Sequence, residues 1–353
     1  MDYPKTGIIL VNYEDYAERF LADCRQSLLE QTYPKDRFKV YIVDNASSPK
    51  SVNFLQQVYP QAKVLTREDG NYSAANNLGA REAINDGCEY LVIANMDTKF
   101  DRNWLKELVK IALKKENIGM VQSKILLWNK DKKKRARINT LGNDIHFLAF
   151  GLVSYYNKPD MYVQGSPEIQ GYASGCSLLI KKEVFKKIGG YIEDFYMYHD
   201  DLELGWKTRL VGYKIVLAPK SVVYHKYEFS RSIKMLYYME RNRMLTLFLL
   251  YRWNTLLLIL PILILTELGL VAMAFFSGWG LVKIRAYLYF LNPKNIKRIC
   301  QLRKQVQSLR HQKEKIIISG FQSKLSFGQK PSLVLQIVNP LLHLYWRLVK
   351  III

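Results

Sequence analysis

Over the first hundred residues, short apolar runs alternate with amphipathic stretches. Residues 7–11 (Gly7-Ile8-Ile9-Leu10-Val11) form an uninterrupted run rich in branched side chains, suited to a strand buried on both faces. Residues 15–31 follow with Tyr16, Phe20, Cys24 and Leu28 near helical spacing, and Tyr33-Pro34 predicts their end. Val40-Tyr41-Ile42-Val43 predicts a second strand, residues 51–59 a helix, 62–65 a third strand, 73–86 a small-residue helix and 90–94 a fourth strand. This series predicts an α/β fold with a doubly wound, mainly parallel sheet. Further on, the pattern predicts a helix at 101–116, a basic solvated loop at 130–137, a strand at 176–180 and a helix at 182–188. An acidic segment at 193–203 and a strand pair within 213–224 complete this part of the chain.

Three of the first four strands end in polar residues: Asn12-Tyr13, Asp44-Asn45 and Asn95-Met96-Asp97-Thr98. Any one of them is a natural turn. Three converging on one sheet edge point to a ligand site, because open α/β sheets bind at the carboxyl ends of their strands. A Rossmann dehydrogenase is excluded, since Asn12-Tyr13-Glu14-Asp15 follows the first strand where a glycine-rich turn is required. No Walker loop is present either, so a bound diphosphate must be neutralised otherwise, most simply by a divalent metal. Asp97 offers the hard oxygen ligand that suits Mg²⁺ or Mn²⁺.

A second polar cluster is Tyr198-His199-Asp200-Asp201-Leu202-Glu203. Crowded carboxylates raise at least one pKa, which suits a general base. The same acids also suit the N-terminus of a helix, and both readings stay open here.

Taken together, these segments resemble the inverting family 2 glycosyltransferases of GT-A fold, in particular the rhamnosyltransferase-like branch. The resemblance covers residues 6–245, about two thirds of the chain. Its motifs are Ile9-Leu10-Val11-Asn12-Tyr13, Gln31-Thr32-Tyr33-Pro34, Val43-Asp44-Asn45-Ala46-Ser47 and Asn71 with Ala74-Ala75-Asn76-Asn77-Leu78-Gly79. Asn95-Met96-Asp97-Thr98, Ser174-Gly175-Cys176, Gly189-Gly190-Tyr191 with Asp200-Asp201, Val223-Tyr224-His225 and Arg241-Asn242-Arg243 follow in the right order. The resemblance implies that Asn12 and Asp44 contact the nucleotide base, with Asn71, Asn76 and Asn95 lining the nucleotide side. It implies that Asp97 holds the metal on the diphosphate, that His225 is a further metal-side ligand and that Asp201 is the catalytic base. Two departures matter. Asn95 stands where the family's D-x-D motif begins, and Asp200 replaces the Glu before the base, so Asp200 stays an alternative to Asp201. The implied donor is a dTDP- or UDP-sugar and the implied acceptor a lipid-linked or membrane-confined glycan. Two other classes remain in view. A non-catalytic relative serving as a membrane scaffold is opposed by retention of both Asp97 and Asp201. A processive polysaccharide synthase needs several spans and a Q-x-x-R-W-type motif, where this chain has Glu203-Leu204-Gly205-Trp206-Lys207.

Charge sharpens the picture at the other end. The chain carries a net +21, and residues 231–353 hold 19 Lys+Arg and 3 Asp+Glu, a balance of +16. That surplus lies beside the most apolar segments, which reads as attraction to an anionic membrane surface. No nucleic-acid-binding module accompanies it, so no nucleic-acid partner is expected. Residues 255–282 carry one charge, Glu267. They are long enough for one span, but both flanks are basic, which favours a re-entrant or interfacial hairpin broken at Pro261, Gly269 or Gly278. In the tail, Gln336, Asn339, His343, Arg347 and Lys350 draw one polar stripe on an otherwise apolar helix. That helix is expected in the membrane interface or docked back on the protein. The expected organisation is a catalytic domain at 1–230, a connecting helix at 231–254, the apolar hairpin or span at 255–282 and basic and amphipathic interface helices at 283–353. Cys24, Cys88, Cys176 and Cys300 form no C-x-x-C pair, and Met1-Asp2-Tyr3-Pro4-Lys5 has no apolar signal region. Both features favour the cytoplasmic face of the cell membrane.

Overall fold

The computed structural model describes residues 3–129, 135–226, 233–326 and 333–353. Of the basic run expected to be a loop, residues 130–134 lie outside the described residues, as do Met1 and Asp2 of the N-terminal segment. The chain divides into two compact units, one of residues 1–143, 153–208 and 212–228, the other of residues 144–152, 209–211 and 229–353.

The first unit begins with the expected alternation: β1 (Thr6–Asn12), α1 (Tyr16–Leu29), β2 (Phe38–Asp44), α2 (Pro49–Val58), β3 (Lys63–Thr66), α3 (Tyr72–Asn85) and β4 (Tyr90–Ala94). It continues through β5 (Thr98–Phe100), α4 (Trp104–Ala112), β6 (Ile118–Leu127) and β7 (Arg137–Thr140). The short hairpin of β8 (Asn143–Ile145) and β9 (Gly151–Val153) precedes β10 (Ser177–Lys181), α5 (Lys182–Ile188), α6 (Asp200–Leu210) and β11 (Lys214–His225). The sheet order is β3-β2-β1-β4-β10-β6-β11-β5, with β7 also on β6. The first four strands are parallel, β10 runs antiparallel between β4 and β6, and β11 runs parallel to β6. Ile8, Ile9, Leu10, Leu91, Val92 and Ile93 are fully buried, as strands covered on both faces require.

Two expectations are corrected. The strand pair within 213–224 is a single strand, β11, whose pairing slips between Ala218 and Val222. Pro219 sits in that slip, where its missing N–H cannot serve the ladder. The helix expected at 101–116 is shorter, Trp104–Ala112.

Small residues let α3 lie close on β1 and β2. A Cβ at Gly79 would meet Ile9 Cγ2 at 2.6 Å and Val43 Cγ2 at 3.2 Å. Overpacking of this kind costs about 1–3 kcal/mol. Gly79→Val is therefore expected to lower the thermal midpoint by roughly 2–12 °C. An unchanged midpoint in scanning calorimetry shows that this contact does not limit α3.

The second unit is helical: α7 (Ile233–Leu250), α8 (Trp253–Phe276), α9 (Gly280–Leu288), α10 (Pro293–Ser308), α11 (Glu314–Ile318) and α12 (Leu333–Ile352). The apolar run at 255–282 is not broken at its middle: all of it up to Phe276 belongs to one helix. Helix α8 passes through Pro261 and Gly269 unbroken, and the chain reverses at Gly278, whose φ is +78°. Helix α8 is, among the described residues, the one long and apolar enough to cross a membrane. Its single acid, Glu267, is bonded to Arg243 of α7 (2.6 Å), Lys283 of α9 (2.9 Å) and the Tyr287 hydroxyl (2.6 Å). Glu240 of α7 closes the cluster by pairing with both Arg243 and Lys283. The tail helix is continuous through Pro340. Part of its polar stripe docks inward. Asn339 bonds the backbone of Leu325, His343 meets the Ser323 hydroxyl at 2.8 Å, and Trp346 stacks on Phe147.

Candidate active site

The register of the parallel strands brings the predicted polar ends to one edge. Asn12 and Asp44 are paired residues at the ends of β1 and β2, and Ala94 pairs with Leu10 so that Asn95 emerges beside them. Asn12 Nδ2 donates to Asp44 Oδ1 at 2.7 Å, and its Oδ1 accepts from the Ala17 N–H at 2.8 Å. Asp44 is fully buried, and its Oδ2 accepts from the Ser51 hydroxyl at 2.5 Å. Each Asp44 oxygen thus already accepts one side-chain hydrogen bond and keeps a second acceptor site.

Helix α3 organises the neighbouring side. Asn71 caps it by accepting from the Ala74 N–H at 3.0 Å and donates to the Glu193 carbonyl. Asn77 holds Tyr191 through both its backbone N–H and its carbonyl. Asn76 donates to the Tyr72 carbonyl, while its Oδ1 is buried with no partner. Asn95 accepts from the Tyr72 hydroxyl at 3.3 Å. The α3 end thus fixes the segment that leads into the acidic cluster. That segment is strained: Tyr196, Tyr198 and His199 have φ of 65°, 64° and 60°. Left-handed backbone at non-glycine residues costs of order 1–3 kcal/mol each and concentrates at functional sites.

Both readings of the acidic cluster are realised in one place. Asp200, Asp201 and Glu203 occupy the first turn of α6. Glu203 is consumed by a buried pair with Lys207 at 2.6 Å. Asp201 accepts from the Leu202 N–H at 2.9 Å and from the Gly175 N–H at 3.3 Å. Burial pushes Asp201 up to about 6 against these N–H groups, which favour its charged form. Burial and then the charge of Asp201 push Asp200 well above the ordinary carboxylate range. Of the two, Asp201 is the one partly open to solvent and the one that ionises at the lower pH.

Ser174-Gly175-Cys176 joins Asp201 to the carboxylate of Asp97. Gly175 touches Asp201, and Cys176 follows it beside His225 and Asp97. His225 Nε2 meets Asp97 Oδ2 at 3.1 Å, and its Nδ1 meets Asn139 Oδ1 at 3.1 Å. Burial disfavours a charge on His225, but the Cys176 sulfur and the Asp97 carboxylate outweigh it and push the imidazole up to about 10. Asp97 is 7% exposed, and its Oδ1 is buried with no hydrogen-bond donor. A carboxylate oxygen left unpaired inside a protein is costly and fits a site waiting for a cation. Among the described residues no three His, Cys, Asp or Glu side chains gather into a metal cage. Asp97 is thus the candidate to hold a divalent cation, and His225 could join it only by giving up the proton that Asp97 now favours.

The sequence pattern did not single out Asn139, Tyr16 or Tyr72. The Tyr16 phenol is pushed up by burial and then by the Asp97 charge, and that of Tyr72 by burial and then by Asp200, so both are neutral donors at the site. Tyr72 adjoins a quoted motif residue, which was a usable signal. Asn139 carried none.

Four likenesses bear on this geometry. The profile described as Glycosyl transferase family 2 matches residues 7–189. The O-antigen biosynthesis protein RfbC of Myxococcus xanthus is 30% identical over 242 residues, 65% of this chain and 18% of that protein. The N-acetylglucosaminyl-diphospho-decaprenol L-rhamnosyltransferase of Mycobacterium tuberculosis is 34% identical over 55 residues, 16% of this chain and 18% of that enzyme. The matched stretches are thus 18% of the length of these curated relatives. The crystal structure of GalNAc-T7 with UDP, GalNAc and Mn²⁺ aligns with a TM-score of 0.53 at 15% identity, covering 70% of this chain and 48% of that one. At that identity the likeness is one of fold, and the fold is GT-A.

Proposed function

The chain belongs to glycosyl transferase family 2, and from that premise we propose that it moves a sugar, with inversion, from a nucleoside-diphosphate donor to a hydroxyl of a lipid-linked glycan. The observation that carries this reading is the three-residue turn 174–176. It ties the Asp201 base to the Asp97–His225 pair, so proton removal and leaving-group neutralisation are served from one rigid element. Asp201 accepts the proton of the acceptor hydroxyl. That oxygen attacks the anomeric carbon from the face opposite the diphosphate, and the bond to the departing phosphate oxygen breaks with its electron pair. Asp97, joined by His225 once it gives up its proton, would hold Mg²⁺ or Mn²⁺, which supplies charge stabilisation of the leaving nucleoside diphosphate. Asn12 and Asp44 line the base side, and Asn71, Asn76 and Asn95 the ribose and diphosphate side. Tyr72 orients Asn95 through its hydroxyl.

A dTDP- or UDP-sugar is the proposed donor. The acceptor class is supported by the decaprenol-linked substrate in the name of the mycobacterial relative and by the O-antigen role in the name of RfbC. The basic surplus of residues 231–353 supports a site at the cytoplasmic face of a membrane. A donor-hydrolysis screen across nucleotide sugars with Mg²⁺ and with Mn²⁺ tests the proposal, and failure to turn over any donor with either metal overturns it.

With the right donor in hand, the pH profile is the next expected result. A base acts as its carboxylate, and Asp201 keeps its proton up to about 6. Below that value kcat/KM should fall about tenfold per pH unit, and above it level off. An acid limb at the ordinary carboxylate range places the base in another environment.

A further inference from the structure

Three facts about the helical unit belong together. The first is an apolar surface that the unit leaves open. Leu257, Ile264 and Leu268 recur on one face of α8, and Leu341, Leu344 and Leu348 on one face of α12, each more than half exposed. The opposite face of α12 carries Leu342, Trp346 and Val349 into the protein. Between α7 and α8 the open face deepens into a groove of about 470 Å³. Besides the Trp253 indole N–H its side-chain polar atoms are those of Glu267 and Tyr287, which are bonded to each other, and the rest of its lining is apolar, which suits a hydrocarbon chain.

The second fact is charge. Helix α10 of the same unit carries Lys294, Lys297, Arg298, Arg303 and Lys304 and no acid. Arg303 stacks its guanidinium 4.0 Å over Trp253, a residue of the groove. An apolar face on the same unit as a basic helix without acids is complementary to lipids with anionic headgroups.

The third fact decides the orientation. Helix α8 is tied to the protein along its length. The Glu314 carboxylate binds the Arg252 N–H and the Thr255 hydroxyl at its start, the Tyr345 hydroxyl binds the Leu258 carbonyl, and Glu267 enters the cluster with Arg243 and Lys283. Glu267 lies 14 residues into α8, about 21 Å along its axis. If α8 crossed a bilayer, Glu267 would sit deep in the hydrocarbon and would draw Glu240, Arg241, Asn242 and Arg243 of α7 with it. Ionisable groups at that depth are costly even when paired, so the orientation that keeps them out of the hydrocarbon is the cheaper one.

We propose that α8 lies in the plane of a single anionic leaflet, side by side with α12, and that the groove between α7 and α8 seats a lipid acyl chain. The proposal rests on the membrane half of the proposed function, and its test uses vesicles free of donor and acceptor. Failure here therefore leaves sugar transfer standing, and a failed donor screen leaves this surface standing. The full chain carries the Cys300→Ser substitution to remove its exposed thiol, and an environment-sensitive fluorophore is placed on Leu257→Cys or Phe276→Cys. These positions are 19 residues apart, about 28 Å along the helix. With vesicles of phosphatidylglycerol and phosphatidylcholine, both probes should be quenched to the same depth by brominated lipids, and both should be bleached by dithionite added outside. One protected probe means a span and overturns the proposal. So does equal binding to pure phosphatidylcholine, or no binding to either vesicle. The variant Leu257→Glu/Ile264→Glu/Leu268→Glu, whose three sites are solvent-facing, should keep its melting midpoint and lose at least tenfold in vesicle affinity. Undiminished affinity overturns the proposed surface.

Discussion

Asp97→Ala should abolish sugar transfer, lowering turnover by about three orders of magnitude or more. Charge stabilisation of a departing oxygen by a bound cation is worth several kcal/mol, and each 1.36 kcal/mol is tenfold in rate. The geometry says why no neighbour can substitute. Asp97 Oδ1 is the buried oxygen left without a donor, and the other side chain of the pair, His225, is itself bonded to Asp97 Oδ2. Removing Asp97 also strands a buried imidazole that the carboxylate helps to keep charged. Loss of rate must therefore be separated from loss of fold. Asp97→Asn serves this purpose, since its amide oxygen still accepts from His225 while the charge is gone. The melting midpoint of Asp97→Asn should stay near that of the parent, and Mn²⁺-dependent nucleotide binding, read by calorimetry, should weaken strongly in both variants. Full activity in either variant, or undiminished activity of the parent chain in excess chelator, removes the metal from the mechanism.

The parts of this molecule that sequence reading recovers are those whose signal is local. Strands β1, β2 and β4 are buried on both faces, so their residues form unbroken apolar runs visible without any partner. Asp97 and Asp201 are visible because the first follows an unbroken apolar run and the second stands in a crowded acidic segment. Strand β6 is the contrary case. Gln122, Ser123 and Lys124 interrupt its pattern with three polar residues, yet all three are buried. Each is satisfied from a distance. Ser123 bonds the Trp104 indole and the Ser177 hydroxyl, Gln122 accepts from the Ser174 N–H, and Lys124 pairs with Asp160 at 2.8 Å. No periodicity reports a polar residue whose partner lies tens of residues away. Asn139 was illegible for the same reason: it faces His225 across 86 positions of sequence. The apolar stretch around α8 was half legible. Its composition shows a long apolar helix. The Arg243 and Lys283 partners of Glu267, which hold that helix to α7 and α9, appear only in three dimensions.

Asp201→Asn should leave donor binding nearly intact and lower turnover by about two to four orders of magnitude, the usual worth of a positioned general base. The substitution is mild for the fold. Asp201 Oδ1 and Oδ2 accept from the N–H groups of Leu202 and Gly175, and an amide oxygen keeps one of those bonds. Relieving a buried, proton-retaining carboxyl also removes a source of repulsion toward Asp200. The melting midpoint is therefore expected to hold or rise, so a fall in rate cannot be charged to unfolding. Asp200→Asn is the informative companion. Asp200 is 6% exposed and held well above the ordinary carboxylate range, so it enters the reaction as a neutral acid beside the base. Its amide should cost far less than the Asp201 change. It should leave the acid limb of the pH profile nearly in place, because burial raises Asp201 and Asp200 is already neutral when Asp201 ionises. Calorimetry on the nucleotide and a transfer assay run side by side read both effects. A larger rate loss in Asp200→Asn than in Asp201→Asn would transfer the base assignment to Asp200 and leave Asp201 as its anchor to Gly175.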